Sequence, residues 1–131
     1  MLQSSLDRAK GMLIQQFVQP SGRRDVRVFI IDGEIIGAMQ LIPGEGEFRS
    51  NFSLNQQARG INLTGEMADT ALKAARVLGL EIAGVDLLIN NQNRIFVLEV
   101  NYSPGFKGLE RTTGLNIANK IIDYAITKKL N

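Results

Sequence analysis

Residues 84–101 read GVDLLINNQNRIFVLEVN, two apolar runs on either side of the polar stretch Asn91–Asn93. Short apolar runs around a polar turn predict two antiparallel strands. If the chain turns at Asn91–Asn93, antiparallel pairing places Asp86 directly across from Glu99. Residues two apart in a strand share a face, so Asn101 is expected beside Glu99. The stretch therefore predicts a hairpin that brings two carboxylates and an amide to one face.

The opposed carboxylates of this hairpin have two interpretations. Like charges directly across a strand pair destabilise a sheet. The arrangement is therefore expected if one acid is protonated or if a cation, such as a metal ion, lies between them. The alternative is an ordinary solvated hairpin face that carries acids and binds nothing. The residues alone leave both interpretations open.

Composition favours one soluble domain that spans residues 1–131. The chain has 44% hydrophobic and 21% charged residues, which suits a single globular core. The net charge is +2 and the pI is about 9.2, but the basic residues are interspersed among acids. Nucleic-acid binding is therefore not expected despite the high pI, because the sequence has no block of basic residues and no aromatic residues placed to stack on bases. With no apolar run of about 20 residues and no signal peptide, we expect no membrane association and a cytoplasmic location.

The absence of two residue types limits the catalytic and metal-binding chemistry that the chain can support. The sequence contains no Cys and no His. Disulfides, thiolate nucleophiles, imidazole bases and His-ligated zinc are therefore excluded. A bound metal would have to be a hard cation held by oxygen atoms, for which magnesium is the natural candidate.

Periodicity predicts an α+β fold, an antiparallel sheet with two amphipathic helices packed on one face. The Asp32-Gly33 pair between apolar runs is a short-hairpin signal, because Gly supplies the positive φ that such a turn needs. A polar loop is expected from Pro43 to Leu63. The predicted regular elements are the strands Leu13–Val18, Val26–Ile31 and Glu34–Leu41, a helix Glu66–Leu78 ended by Gly79, the hairpin described above, and a last helix capped by Asn116.

Five ordered segments carry a resemblance to a known family. From Gln16 to about Ala125, the chain resembles the C-terminal half of RimK-type ATP-grasp ligases, which include the ribosomal-protein glutamate ligase and the LysX-type ligases. The matching segments are Asp25-Val26-Arg27-Val28-Phe29, Gly46-Glu47-Phe48-Arg49-Ser50-Asn51, Ala83-Gly84-Val85-Asp86, Leu98-Glu99-Val100-Asn101 with Ser103-Pro104-Gly105, and Thr113-Gly114-Leu115-Asn116-Ile117-Ala118.

The resemblance implies an ATP-dependent carboxylate–amine ligase. Such enzymes transfer the γ-phosphoryl group of ATP to a carboxylate, and an amine then attacks the acyl phosphate. The implied partners are ATP and the carboxylate of an amino acid, peptide or protein. Asp86, Glu99 and Asn101 resemble the family's magnesium ligands, with manganese as a second candidate metal.

The resemblance also implies roles around the transferred phosphate. Arg49 would act as a fixed catalytic cation there and would also contact the nucleotide, because a guanidinium can pair with two oxygens. A surface salt bridge is its alternative role. Ser50 and Asn51 match positions at the nucleotide site, although capping of a loop would also explain them.

Three more residues match nucleotide contacts. Gln16 and Phe17 resemble the linker that offers backbone groups to adenine, although Phe17 would equally suit a core. Asp25 resembles an acid that contacts the nucleotide. A turn acid after Gly22 is its alternative.

The chain also departs from the family pattern. Leu41 and Ile42 stand where basic residues are usual, and Ser53–Gln56 replaces a His-Arg-Gly-Gly loop. The lobe that carries the phosphate-binding glycine-rich loop would precede the matching region, so we expect the chain to be an incomplete ATP-grasp domain, inactive alone and prone to self-association. A non-catalytic binding module derived from such a lobe is the alternative function, favoured by added apolar surface near the cleft at Leu41, Ile42 and Leu54.

Overall fold

The computed structural model describes residues 15–19, 21–42 and 57–130. Across these ranges the chain forms one antiparallel sheet with the strand order β3-β2-β1-β4-β5. The predicted α+β class is confirmed. The elements are β1 (Arg24–Ile31), β2 (Glu34–Ile42), β3 (Gln57–Gly60), α1 (Gly65–Val77), β4 (Ile82–Ile89), β5 (Ile95–Asn101), α2 (Lys107–Thr113) and α3 (Ile117–Leu130).

The hairpin between β1 and β2 turns at Asp32 and Gly33. Both residues have positive φ, 51° and 75°. A two-residue turn of this kind matches the right-handed twist of the strands it joins. The hairpin predicted from the Asp-Gly pair is confirmed.

The hairpin between β4 and β5 has the predicted register at its functional end. Asp86 lies across from Glu99, and Gly84 lies across from Asn101. Beyond Asp86 the register shifts by one residue, so that Leu87 pairs with Val97. Such a shift is a β-bulge, in which one strand carries an extra residue.

The turn of this hairpin is held by one side chain. The Asn90 Oδ1 accepts hydrogen bonds from the backbone N–H groups of Gln92 and Arg94, each at 2.9 Å. Asn93 has a φ of 60°, a left-handed conformation that Asn tolerates. The turn therefore falls where the polar stretch predicts it.

The two faces of the sheet are covered by different helices. Val28 of β1 packs in a cluster with Ala71 and Ala75 of α1. Its neighbour Phe29 points to the opposite face and packs in a cluster with Leu109 of α2 and Ile117 of α3. The sheet is therefore the middle layer of three.

The prediction that both long helices pack on one face is wrong. Residues Val28–Ile31 of β1 form a continuous apolar, buried run, and β4 is apolar and buried at nearly every residue. Strands of this composition present apolar side chains to both faces, and each face then needs a covering layer. α1 covers one face, and α3 with the short α2 covers the other.

The predicted helix signals are confirmed within a residue or two. α1 begins after Thr64, whose hydroxyl accepts a hydrogen bond from the Met67 backbone N–H at 3.3 Å. It ends before Gly79, which has a φ of 66°. At the start of α3, the Asn116 Oδ1 accepts a hydrogen bond from the Asn119 backbone N–H at 2.9 Å, as its capping role predicts.

Other predicted elements differ from the structure. β3 falls inside the segment predicted as loop, and α2 falls between the hairpin and the last helix, where no regular element is predicted. Residues 15–19 form no regular structure where a strand Leu13–Val18 is predicted, and Leu13 lies outside the described residues.

On α3, Ile122 and Ile126 are each 54% exposed, and self-association of the chain stays a prediction. In the described part of the chain, no helix is long and apolar enough to cross a membrane.

Candidate metal centre

A row of cross-strand neighbours runs through the centre of the sheet. Met39 of β2 pairs with Arg27 of β1, Arg27 pairs with Asp86 of β4, and Asp86 pairs with Glu99 of β5. Because direct partners share a face, these side chains lie on the side of the sheet that carries α2 and α3. Asp86 is therefore flanked by a cation on one side and an acid on the other.

Arg27 donates a hydrogen bond to each oxygen of the Asp86 carboxylate. The Arg27 Nε donates to Oδ1 at 2.7 Å, and the Arg27 Nη2 donates to Oδ2 at 2.6 Å. Asp86 is only 5% exposed. A two-point guanidinium–carboxylate pair fixes orientation as well as charge. The cation beside Asp86 in this structure is thus a side chain, which accounts for the opposed acids without requiring a metal.

Burial raises the pKa of Asp86 above its ordinary value, because an ionised carboxylate is poorly solvated away from water. The hydrogen bonds and charge of Arg27 lower this pKa and offset part of the rise, whereas the charges of Glu99 and Asp25 add to it. Additional positive charge near Asp86 would therefore favour its ionised form.

The other two predicted ligands lie at the end of β5. Glu99 is exposed and lies across from Asp86. The Asn101 Oδ1 accepts a hydrogen bond from the Ser103 backbone N–H at 2.9 Å, an Asx-turn that fixes the amide. A carbonyl oxygen has two lone pairs, so this bond leaves one for another partner. All three predicted side chains therefore come to one face and one end of the hairpin.

The donor set suits a hard divalent cation that brings ligands of its own. Two carboxylates and an amide supply oxygen donors of the type that magnesium prefers, and magnesium usually keeps several waters or phosphate oxygens. Within ranges 15–19, 21–42 and 57–130, no three acidic side chains cluster closely enough to form a metal cage. The residues present fit a shared site in which the protein contributes only part of the coordination sphere.

Asp25 lies on the same face as Arg27, two residues earlier in β1. Its Oδ2 accepts a hydrogen bond from Arg23 Nη2 at 2.9 Å, whereas its buried Oδ1 has no hydrogen-bond partner. Asp25 belongs to a strand and is 6% exposed, so its alternative role as a turn acid is wrong. A buried acceptor without a partner is costly, and a ligand donor would satisfy it.

The remaining predicted residues fall in three groups. Gln16 and Phe17 lie in the irregular segment 15–19, and Phe17 is 65% exposed, which excludes its alternative role in a core. Leu41 is buried, so only Ile42 of this pair adds apolar surface. Outside the described residues lie Arg49, Ser50, Asn51 and Leu54.

Arg27 is absent from the predicted site residues, although the sequence carries a signal for it. The segment Asp25-Val26-Arg27-Val28 alternates charged and apolar residues. Such alternation in a strand places both charges on one face. What the sequence does not show is that β1 lies beside β4, which is the neighbour relation that brings Arg27 to Asp86.

The chain matches the family model of the RimK-like ATP-grasp domain over residues 2–125. Among curated relatives, a probable alpha-L-glutamate ligase of a Picosynechococcus strain is 42% identical over 113 residues, which cover 86% of this chain and 37% of the relative. The probable alpha-L-glutamate ligase 1 of Hahella chejuensis is 44% identical over 118 residues, which cover 90% of this chain and 38% of the relative. The chain therefore spans about two fifths of the length of these relatives.

Solved structures share the fold. The ATP-grasp ligase PsnB in complex with a minimal precursor, Mg and ADP matches with a TM-score of 0.68 and 27% identity, over 85% of this chain and 34% of that one. The D-alanyl-alanine synthetase A of Vibrio cholerae matches with a TM-score of 0.55 over 89% of this chain and 41% of that one. At 22% identity, this second likeness shows the fold alone.

Proposed function

The chain belongs to the RimK-like ATP-grasp family, and on this premise we propose that it supplies the magnesium- and ATP-binding part of an ATP-dependent carboxylate–amine ligase. The observation that carries the proposal is the pairing of Asp86 with Glu99, with Asn101 on the same face. These are the oxygen donors that a magnesium–nucleotide complex requires.

The proposed reaction has two steps. A substrate carboxylate oxygen attacks the γ-phosphorus of ATP, the bond to ADP breaks, and an acyl phosphate forms. An amine then attacks the acyl carbon, loses a proton and expels phosphate, which leaves an amide. The carboxylate belongs to an amino acid, a peptide or a protein, in keeping with relatives named as glutamate ligases and with the minimal precursor in the PsnB complex.

Asp86, Glu99 and Asn101 would hold the metal, with manganese able to replace magnesium. The bound ion would neutralise charge on the phosphate oxygens. Glu99 is exposed and can reach a ligand without first leaving a buried pair. Asn101 adds an oxygen without adding charge, and its bond from Ser103 keeps that oxygen in place.

The nucleotide side of the site rests on residues around β1 and on residues outside the described ranges. The unpartnered Asp25 Oδ1 is an acceptor suited to a hydroxyl or amino group of the nucleotide. The exposed Phe17, with Gln16 beside it, offers a ring and backbone groups for adenine. Arg49, Ser50 and Asn51 keep their proposed contacts with the phosphates, with Arg49 as the catalytic cation.

Calorimetric titration of magnesium–ATP into the chain tests this proposal. The wild type is expected to bind saturably in the presence of magnesium, and binding should disappear when magnesium is omitted. The double variant Asp86→Asn/Glu99→Gln should lose the magnesium-dependent part, because both charged donors are gone.

A matched control removes two acids elsewhere. Asp69 on α1 and Glu34 in β2 are exposed, and the Asp69→Asn/Glu34→Gln variant makes the same chemical change. It should bind as the wild type does. Absence of any magnesium-dependent binding by a folded wild-type chain would contradict the proposal and favour the non-catalytic binding module.

A further inference from the structure

Arg27 gives the candidate metal centre a cation that is not one of its proposed ligands. It donates to both Asp86 oxygens, at 2.7 and 2.6 Å. Each carboxylate oxygen offers about two lone-pair sites, so each can still accept one bond besides that from Arg27. Arg27 therefore orients Asp86 without using all of its bonding capacity.

The formal charge of the three central residues is low for a metal site. Asp86 and Glu99 contribute two negative charges, and Arg27 cancels one of them. The affinity of oxygen-ligand sites for divalent cations follows the number of charged ligands. The site should consequently hold a free cation weakly and hold it well only when phosphate oxygens add negative charge.

We propose that Arg27 is a positioning residue that makes metal binding depend on the bound nucleotide. It fixes the Asp86 carboxylate in one orientation and cancels the charge that would otherwise trap a free divalent cation. The inference rests on the proposed function, because it requires the metal to bind at Asp86 and Glu99. A purely structural ion pair would show no such link between cation and nucleotide.

Binding of Mn²⁺ to the full chain tests this, with free Mn²⁺ measured by electron paramagnetic resonance in the presence and absence of ADP. In the wild type, Mn²⁺ alone should bind weakly and ADP should strengthen its binding. In Arg27→Gln, Mn²⁺ alone should bind about tenfold more tightly, because an uncompensated buried carboxylate attracts the cation. The enhancement by ADP should fall by a similar factor, and the same loss should appear in the enhancement of ADP binding by Mn²⁺.

Three variants isolate the cause. Arg94→Gln removes one positive charge from an exposed position near the hairpin turn and should leave both affinities unchanged. Arg27→Lys keeps the charge but cannot grip both oxygens at once, so the rise should be smaller, about threefold. The double variant Arg27→Gln/Asp86→Asn should not bind Mn²⁺ more tightly than the wild type, because the increase in affinity depends on the Asp86 carboxylate.

The outcomes separate the two proposals. If the wild type binds Mn²⁺ with ADP but folded Arg27→Gln shows unchanged or weaker binding of Mn²⁺ alone, the role of Arg27 is overturned and the proposed function stands. If the folded wild type binds no Mn²⁺ with or without ADP, both fail. If Arg27→Gln is unfolded without metal, Mn²⁺ alone should restore its circular dichroism, and failure to do so overturns the inference.

Discussion

Gly84 of β4 and Pro104 of the loop after β5 approach so closely that a side chain at residue 84 has no room. An added Cβ would lie 2.5 Å from the Pro104 Cβ, which is closer than such atoms approach in proteins. Gly84 is also the cross-strand partner of Asn101. The glycine therefore allows the loop that follows the last proposed ligand to fold back onto the hairpin.

Replacing Gly84 with Ala should displace this loop. We expect a loss of about 1–3 kcal/mol in the free energy of unfolding, the usual cost of overpacking. Binding of magnesium–ADP should weaken as well, because Asn101 is oriented through Ser103 in the same loop. Urea denaturation and calorimetry measure the two effects. Gly65→Ala is the control, since nothing lies within 4 Å of its added Cβ and stability should be kept or improved. Equal losses in the two variants would contradict the explanation.

The raised pKa of Asp86 predicts a trend of stability with pH. Between the unfolded pKa and the higher folded pKa, the folded chain holds a proton that the unfolded chain has released. The contribution of Asp86 to the free energy of unfolding therefore falls as pH rises. Measured from about pH 4 upward, the stability advantage of the wild type over Asp86→Asn should shrink as pH rises. Urea denaturation of both proteins across this range measures it, and an advantage that grows with pH would mean that Arg27 outweighs burial.

The hydroxyl of Thr64 caps the N-terminus of α1. Thr64→Ala should lower the free energy of unfolding by about 1 kcal/mol, because the Met67 backbone N–H loses its acceptor. Thr70→Ala makes the same change inside the helix, where Ala is favoured, and should not destabilise the chain. Chemical denaturation with an unchanged slope would confirm a native-state effect. A Thr64→Ala variant as stable as wild type would show that water replaces the cap.

Substitutions of a buried and an exposed phenylalanine are expected to affect stability and ligand binding differently. Phe29 is fully buried, and its ring meets that of Phe106 edge to face, with centroids 6.2 Å apart. Phe29→Ala should cost about 3–5 kcal/mol of stability. Phe17→Ala should change stability by less than about 0.5 kcal/mol, because its side chain is exposed. If Phe17 contacts adenine, this second variant should nevertheless bind ADP more weakly by calorimetry, and unchanged binding would remove Phe17 from the proposed site.

Local signals predict the part of the fold that contains the proposed ligands. The Asp32-Gly33 turn, the polar turn after β4 and the caps at Asn116 and Gly79 each depend on a few neighbouring residues, and the structure places all of them as expected. Counted from this turn, a hairpin without a bulge would pair Asp86 with Leu98, so the observed pairing with Glu99 also depends on the one-residue register shift beside Asp86.

Long-range neighbours could not be predicted in the same way. Arg27 and Asp86 are 59 residues apart, and no local pattern shows that their strands are adjacent. β3 and α2 have only four and seven residues, too few for a periodicity to distinguish them from loops. The apolar run Val28–Ile31 in the second half of β1 indicates burial on both faces, but its consequence for helix placement depends on which strands border it.

Side chains along a strand normally alternate between the two faces of the sheet. The bulge beside Asp86 interrupts this alternation within the seven residues of β5, so that odd-numbered residues face one side before it and the other side after it. Before the bulge Ile95 faces α1, and after it Val100 faces the same side, although one number is odd and the other even. A regular strand would force a choice: with Ile95 in the core, Glu99 would turn to that side as well and leave Asp86. Leu98, the extra residue, thus lets one short strand satisfy an apolar core and a charged site at once. If Leu98 were deleted, the strand could keep either its apolar core contacts or the pairing of Glu99 with Asp86, but not both.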